Sequence, residues 1–288
     1  MKKRIKNVLY FIAKSCGFLK FTTKVVLQGS YKNKIKKEFV GTVAVLANGP
    51  SLKEIIPKLT TSNAFTGLDF IVLNFFAFEE TFYQIKPQHY CLADPMFFAD
   101  SLKTNDIRKM YDLLESKVDW NMFLYIPALN YKSFLAYSKI TNPKIKVVKL
   151  STNDYYGYEK FRNYFYKIGF AMPSPKTVAN MAIYVGLNSG YKELRLYGVD
   201  HTFFNSLVVN ELNQLCHTQE HFYSSTPKLE PITRNHDGFQ YNMSEYLKDL
   251  AFLFRSHDLL EQYSKFLKVK ILNFTKNSLI DSYDRKIV

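Results

Sequence analysis

Acidic side chains are missing from the first 37 positions of this chain, where eleven Lys and Arg stand. The net charge of +14 is therefore local, because the remaining residues hold 28 basic against 25 acidic groups. That balance argues against a nucleic-acid surface on the body of the protein. Cysteine is scarce too. Cys16, Cys91 and Cys216 are odd in number and far apart, which excludes a disulfide framework or a cysteine-rich metal site and fits a reducing cytosol. No apolar run is long enough to span a bilayer. Missing as well are G-x-x-x-x-G-K-[ST], G-x-G-x-x-G and G-x-S-x-G, and with them the common phosphate loops and the serine-hydrolase elbow. There is no Asp-x-Asp, the usual means of holding a divalent ion against a diphosphate, so no metal or other cofactor is expected.

What is present begins with a basic segment, about residues 1–40. Ile5, Val8, Leu9, Ile12 and Leu19 recur at helical spacing, with Lys2, Lys3, Arg4, Lys6, Lys14 and Lys20 between them. Such a helix suits the surface of an anionic leaflet, here the inner face of a cytoplasmic membrane. Packing against a partner or a second copy is the competing reading. A secretory signal fits less well, because Lys14 interrupts the apolar stretch and no small-residue cleavage site follows.

From about residue 41 to 288 the pattern is α/β. With 21 Tyr and 25 Phe, apolar material for a core is ample. Strand-like runs fall at 43–47, 70–73, 89–93, 122–126, 145–150, 194–197 and 269–272, and helix-like stretches at 106–116, 177–188 and 244–266. Gly190 reads as a helix stop. The alternation predicts a Rossmann-like, mainly parallel sheet with helices on both faces. Residues 203–241 lack a clear period and are rich in His, Asn, Ser and Pro, which predicts a lid-like insertion or an irregular loop.

Polar residues close four of the strands: Asn48, Asn74, Asp94 and the pair Asp200-His201. Ligands of open α/β sheets bind outside the carboxyl ends of strands. After the first strand comes Asn48-Gly49-Pro50-Ser51 and an expected helix. Gly49 permits close backbone approach, Pro50 suits a first helical turn and Ser51 suits a cap, so the turn reads as an anion site on a helix N-terminus. Four of the six histidines lie between 201 and 236: His201, His217, His221 and His236. One of them is a candidate general base. His217 and His221 at i, i+4 would share a helical face as a metal pair, but Glu220 sits beside the second histidine, unlike H-E-x-x-H.

These landmarks resemble the bacterial sialyltransferases of glycosyltransferase family 42. The matching segments are Asn48-Gly-Pro-Ser-Leu-Lys-Glu-Ile55, Asn74-Phe-Phe-Ala-Phe-Glu79, Asp94-Pro-Met-Phe-Phe98, Gly190-Tyr-Lys-Glu-Leu-Arg-Leu-Tyr-Gly-Val-Asp200, His221-Phe-Tyr223 and Asn277-Ser-Leu-Ile280. The resemblance covers residues 43–282 and implies metal-free transfer of a sugar from a CMP-type donor to a glycan or lipid-linked acceptor of the cell surface, such as lipopolysaccharide or capsule. It further implies that Asn48, Gly49, Pro50 and Ser51 hold nucleotide and phosphate, that Asn74, Asp94 and Asp200 line the donor, and that His221 is the base, with His201 the second catalytic candidate. Lys176-Thr177 stands where the family carries an arginine, and His201-Thr-Phe-Phe204 where it carries tyrosines. The Asn-Gly-Pro-Ser and Gly-Val-Asp segments are also similar to motility accessory factor and pterin-diphosphokinase-like proteins. Diphosphoryl transfer, or a non-catalytic membrane-associated accessory role, are the alternatives.

Overall fold

The computed structural model describes residues 2–30, 33–99, 104–219, 228–233 and 238–286. A long helix α1 (Lys2–Leu27) precedes the body. Then come β1 (Thr42–Leu46), β2 (Asp69–Leu73), α2 (Glu80–Ile85), β3 (His89–Cys91), α3 (Thr104–Lys117), β4 (Met122–Pro127), α4 (Tyr131–Ser138) and β5 (Ile145–Leu150). The second half holds α5 (Glu159–Lys167), α6 (Val178–Ser189), β6 (Glu193–Tyr197), β7 (Leu207–Val209), β8 (Leu215–Gln219), β9 (Lys228–Pro231), α7 (Met243–Leu267), β10 (Lys270–Asn273) and β11 (Asp284–Arg285).

Eight strands form one sheet in the order β11-β10-β6-β1-β2-β3-β4-β5, and every pairing in it is parallel. The reason lies in the strands' composition. Val43, Val45 and Ala47 join the apolar core on one face, while Ala44 and Leu46 join the core on the other. A strand buried on both faces reads as a continuous apolar run, and that pattern belongs to parallel sheets covered by helices. One face is covered by α5, α6, α7 and the Phe21–Val25 end of α1, the other by α3, α4 and short 3-10 turns. Gly190 ends α6 in the left-handed region.

Each of the seven expected strands is present within about two residues, as are the three expected helices. The helices α2, α4 and α5 are additional; each has nine residues or fewer and owes its existence to packing rather than to a legible period. Residues 203–241 hold more order than an aperiodic stretch suggests. Their described part contains a 3-10 turn, Phe203–Ser206, and an antiparallel sheet of β7, β8 and β9.

The sheet has one topological switch point. From β1 the chain moves outward through β2 to β5, then crosses back to lay β6 on the opposite side of β1. The turns leaving β1 and β6 therefore diverge at the carboxyl end of the sheet, where open α/β folds place their ligand crevice.

Candidate functional site

At the switch point the two turns touch. Gly49 N–H donates to Gly198 O at 2.8 Å, and Ser51 meets Asp200 twice: N–H to Oδ1 at 3.2 Å and Oγ–H to Oδ2 at 2.8 Å. Two glycines permit this approach. A Cβ on Gly49 would stand 1.9 Å from Asp200 Oδ2, and one on Gly198, whose φ is +68°, would stand 2.4 Å from Ala47 O. This arrangement corrects the expected anion site. No α-helix begins at Pro50; the segment Pro50–Glu54 is a five-residue 3-10 turn with no side-chain cap. The N–H groups of Gly49 and Ser51 are already engaged, and the negative group at Ser51 is the protein's own carboxylate. Burial raises the Asp200 pKa, while the Ser51 bonds pull it down. A carboxylate has about four lone-pair sites, so two remain for a ligand's hydroxyl or amide donors. Asn48, half-buried, stands one position before Gly49 in the same turn.

The β6 turn is pinned from behind by the C-terminal segment. Ser278 Oγ donates to Val199 O at 2.7 Å, Leu279 N–H to Asp200 O at 3.0 Å, and Val199 N–H to Thr275 Oγ1 at 3.1 Å. His201 follows at φ +51° and is 9% exposed. It stacks on Phe203 with ring centroids 5.5 Å apart and meets the edge of Phe254.

Hydrogen bonds fix the protons around it. Asn180 Oδ1 accepts from Thr177 N–H and Oγ–H, each at 3.2 Å, so its Nδ2 faces His257 Nε2 at 3.0 Å as donor. His257 Nε2 is then an acceptor, and its Nδ1–H donates to Tyr283 Oη at 2.9 Å. The remaining contact, His201 Nε2 to His257 Nε2 at 3.0 Å, requires the proton on His201. His201 Nδ1 is then an acceptor, with no partner among the described residues. Burial lowers the His201 pKa to about 4 and holds His257 well below the ordinary value, so both rings are neutral near pH 7. A nitrogen of that pKa accepts a hydroxyl proton in a hydrogen bond but removes it poorly. His201 is thus better suited to orienting a hydroxyl than to serving as the general base.

Asn74, at the end of β2, carries the second mark of a functional position. Its φ is +49°, and its Oδ1 is buried without a hydrogen-bond partner. Among the described residues seven other than glycine have positive φ: Lys86, Lys139 and Lys268 end helices, Asn213 turns between β7 and β8, and the other three are Asn74, His201 and Asn277. All three of these adjoin the carboxyl end of the sheet. Strain of about 1–3 kcal/mol per residue is retained where it is part of a site.

Other sequence candidates have local duties. Asp94 accepts from Met96 N–H at 3.0 Å and caps the 3-10 turn Pro95–Phe98. Thr177 caps α6 in a capping box with Asn180. Lys176 Nζ pairs with Asp249 Oδ1 at 3.2 Å. The metal pair on a helix does not form, because His217 lies on β8 opposite Glu230. His221 and His236 lie outside the described residues. Among the described residues no group of three His, Cys, Asp or Glu is placed to hold a metal ion.

Sequence reasoning missed Asn180, His257 and Tyr283. One signal existed: His257 stands in the apolar stripe Leu250, Leu253, Leu260 of α7, where a histidine must find a buried partner.

No family model matches this chain, and no curated protein does. Among solved structures it is similar to the MAf glycosyltransferase from Magnetospirillum magneticum AMB-1, at 12% identity over 90% of this chain and a TM-score of 0.46. The chain spans 37% of that protein's length.

Proposed function

We propose that this protein is a glycosyltransferase that takes a sugar from a nucleotide-activated donor, of the CMP type, without a resident metal. One observation carries the reading. Five of the landmark segments of the sequence resemblance, 48–55, 74–79, 94–98, 190–200 through its Asp200 end, and 277–280, are far apart in the chain yet follow strands at the carboxyl end of one parallel sheet, while 221–223 lies outside the described residues. They meet where such a fold receives nucleotides.

Among the described residues the two turns offer amides and a carboxylate, a set suited to the hydroxyl and base edges of a nucleoside, and Lys276 pairs with Glu54 of the β1 turn at 3.7 Å. Asn48 and the unpartnered Asn74 Oδ1 supply amide contacts, the spare lone pairs of Asp200 accept hydroxyl protons, and His201 Nδ1 accepts one more. In the reaction an acceptor hydroxyl oxygen bonds to the anomeric carbon as the bond from that carbon to the donor phosphate breaks. The electron pair leaves with the nucleotide, and the acceptor proton passes to a base, the role that the sequence resemblance gives to His221. The metal-free part of the reading rests on the missing Asp-x-Asp.

The test is turnover of CMP-, UDP- and GDP-activated sugars by the purified chain, with magnesium and with EDTA. Release of CMP that persists in EDTA is expected. Activity only with ATP and magnesium would replace the reading with diphosphoryl transfer. No release from any donor, under conditions where the protein is folded, would contradict it.

A further inference from the structure

The helix α1 has two apolar faces, and the body of the protein uses one. Phe18 and Phe21 pack on Tyr155, Phe161 and Phe165, Ser15 Oγ and Tyr158 Oη lie 2.6 Å apart, and Lys14 pairs with Glu159 at 3.5 Å. Val25 completes that face, 5% exposed. A second stripe lies roughly 150° round the helix at about 100° per residue. It consists of Ile5, Leu9, Ile12, Cys16, Leu19 and Val26, spaced alternately by four and three residues or a multiple of that pattern, with Val8 beside them. Every one is exposed: Ile5 52%, Val8 56%, Leu9 62%, Ile12 50%, Leu19 67% and Val26 67%. Residues 3–13 are exposed, and Phe11 is the first of them to meet the body, its ring centroid 6.1 Å from that of Tyr158, so the helix projects beyond the body by about two turns.

We infer that this second stripe lies in the interface of an anionic lipid bilayer. The choice of occupant rests on charge. The stripe has the spacing of a coiled-coil seam, and a second copy of the helix is the obvious rival. However, Lys6, Lys20 and Lys24 border it, and α1 contains no acidic residue at all. Two such helices side by side would set like charges against each other along the flanks, where paired helices need opposite ones. An acidic leaflet satisfies the same lysines and accepts the apolar stripe. No described helix is long and apolar enough to cross a membrane, so the helix lies along the surface. The placement has a structural consequence. Asn153 Nδ2 donates to Ser30 Oγ at 3.0 Å, which ties the chain just after α1 to the residues leaving β5. The helix is thereby anchored at the carboxyl end of the sheet, the end that carries the crevice. This inference is independent of the reaction proposed above.

The experiment is co-sedimentation of the full chain with phosphatidylcholine vesicles, with and without phosphatidylglycerol, at low and high salt. Binding is expected only with phosphatidylglycerol and should weaken as salt rises. Leu9→Glu with Ile12→Glu should reduce it on the order of 10-fold or more, and Lys6→Glu with Lys20→Glu by a similar factor. All four positions are exposed, so melting temperatures should stay at the wild-type value; that control separates lost binding from lost folding. Equal binding by the wild type and both variants would overturn the inference. So would a dimer in solution that Leu9→Glu and Ile12→Glu convert to monomer, with no vesicle binding by either form.

Discussion

Two buried histidine networks stand at opposite ends of the sheet, and they differ in one respect. At the amino end His89 opens β3. Tyr191 Oη donates to Asp69 Oδ2 at 2.6 Å, so it accepts His89 Nε2–H at 2.9 Å, and His89 Nδ1 then accepts from Tyr125 Oη at 3.1 Å. Both ring nitrogens are satisfied, and the backbone is an ordinary strand. At the carboxyl end His201 has a left-handed backbone and a hydrogen bond from one ring nitrogen, and Asn74, which follows β2 at the same end of the sheet, carries a buried amide oxygen without a partner among the described residues. A closed network holds a fold together. An open one, kept at a cost in strain, marks a place where something else is meant to bind.

The sharpest way to break this contrast is through activity. His221→Ala should reduce turnover on the order of 10²–10⁴-fold with nucleotide binding intact. Tyr191→Phe at the amino end should leave kcat unchanged. An active His221→Ala enzyme would remove that residue from the role of base. Next in size is stability. His89→Ala removes a buried ring and takes the acceptor from the Tyr125 hydroxyl, while Tyr191 keeps Asp69, which should cost about 3 kcal/mol in a denaturant titration. A loss below 1 kcal/mol would mean that the amino-end network is not structural.

The pH dependence is shared by both ends. Burial lowers the folded pKa of His89 to about 3 and of His201 to about 4, from an ordinary value of 6.5. Below pH 6.5 the unfolded chain takes up protons that these rings refuse, so stability falls as pH drops from 6.5 towards 4 and is flat above it. The slope is about 1.4 kcal/mol per pH unit for each ring. Asp200, Asp154 and Glu79, whose folded values burial raises, oppose part of this loss. Chemical denaturation at pH 5 and pH 7 should show the fall; equal stability at both would contradict the neutral assignments.

The smallest effect separates strain for function from strain for turning. Asn74→Gly and Lys139→Gly each relieve a left-handed residue and should stabilise by about 0.5–1 kcal/mol. Only Asn74→Gly should weaken nucleotide binding, because Lys139 merely ends α4.

Most of the fold was legible because both sheet faces are covered. Val43–Leu46 and Phe70–Leu73 read as strands from their unbroken apolar runs, and a parallel sheet follows from the helices between them. The short strands β7, β8 and β9 were not legible, since three to five residues carry no readable period. In the site, the strand ends Asn48, Asn74 and Asp200 stood out as polar residues closing apolar runs. Their partners did not. Asp200 reaches across 149 positions to Ser51, and His257 across 56 to His201, and nothing in local sequence encodes such a pairing. The error at Pro50 has the same cause. A turn with Gly, Pro and Ser reads as the start of an α-helix, but tertiary contact with Asp200 took the donors that a phosphate would have used.

The central claim is that the crevice between the β1 and β6 turns binds a nucleotide. Its most direct test is calorimetric titration of CMP, CDP, UDP and GDP into wild type and Asp200→Ala, in EDTA. The account predicts binding of a cytidine nucleotide by the wild type, weakened on the order of 10-fold or more when the hydrogen-bonding carboxylate is removed. No binding of any nucleotide, or equal binding by the variant, would contradict it.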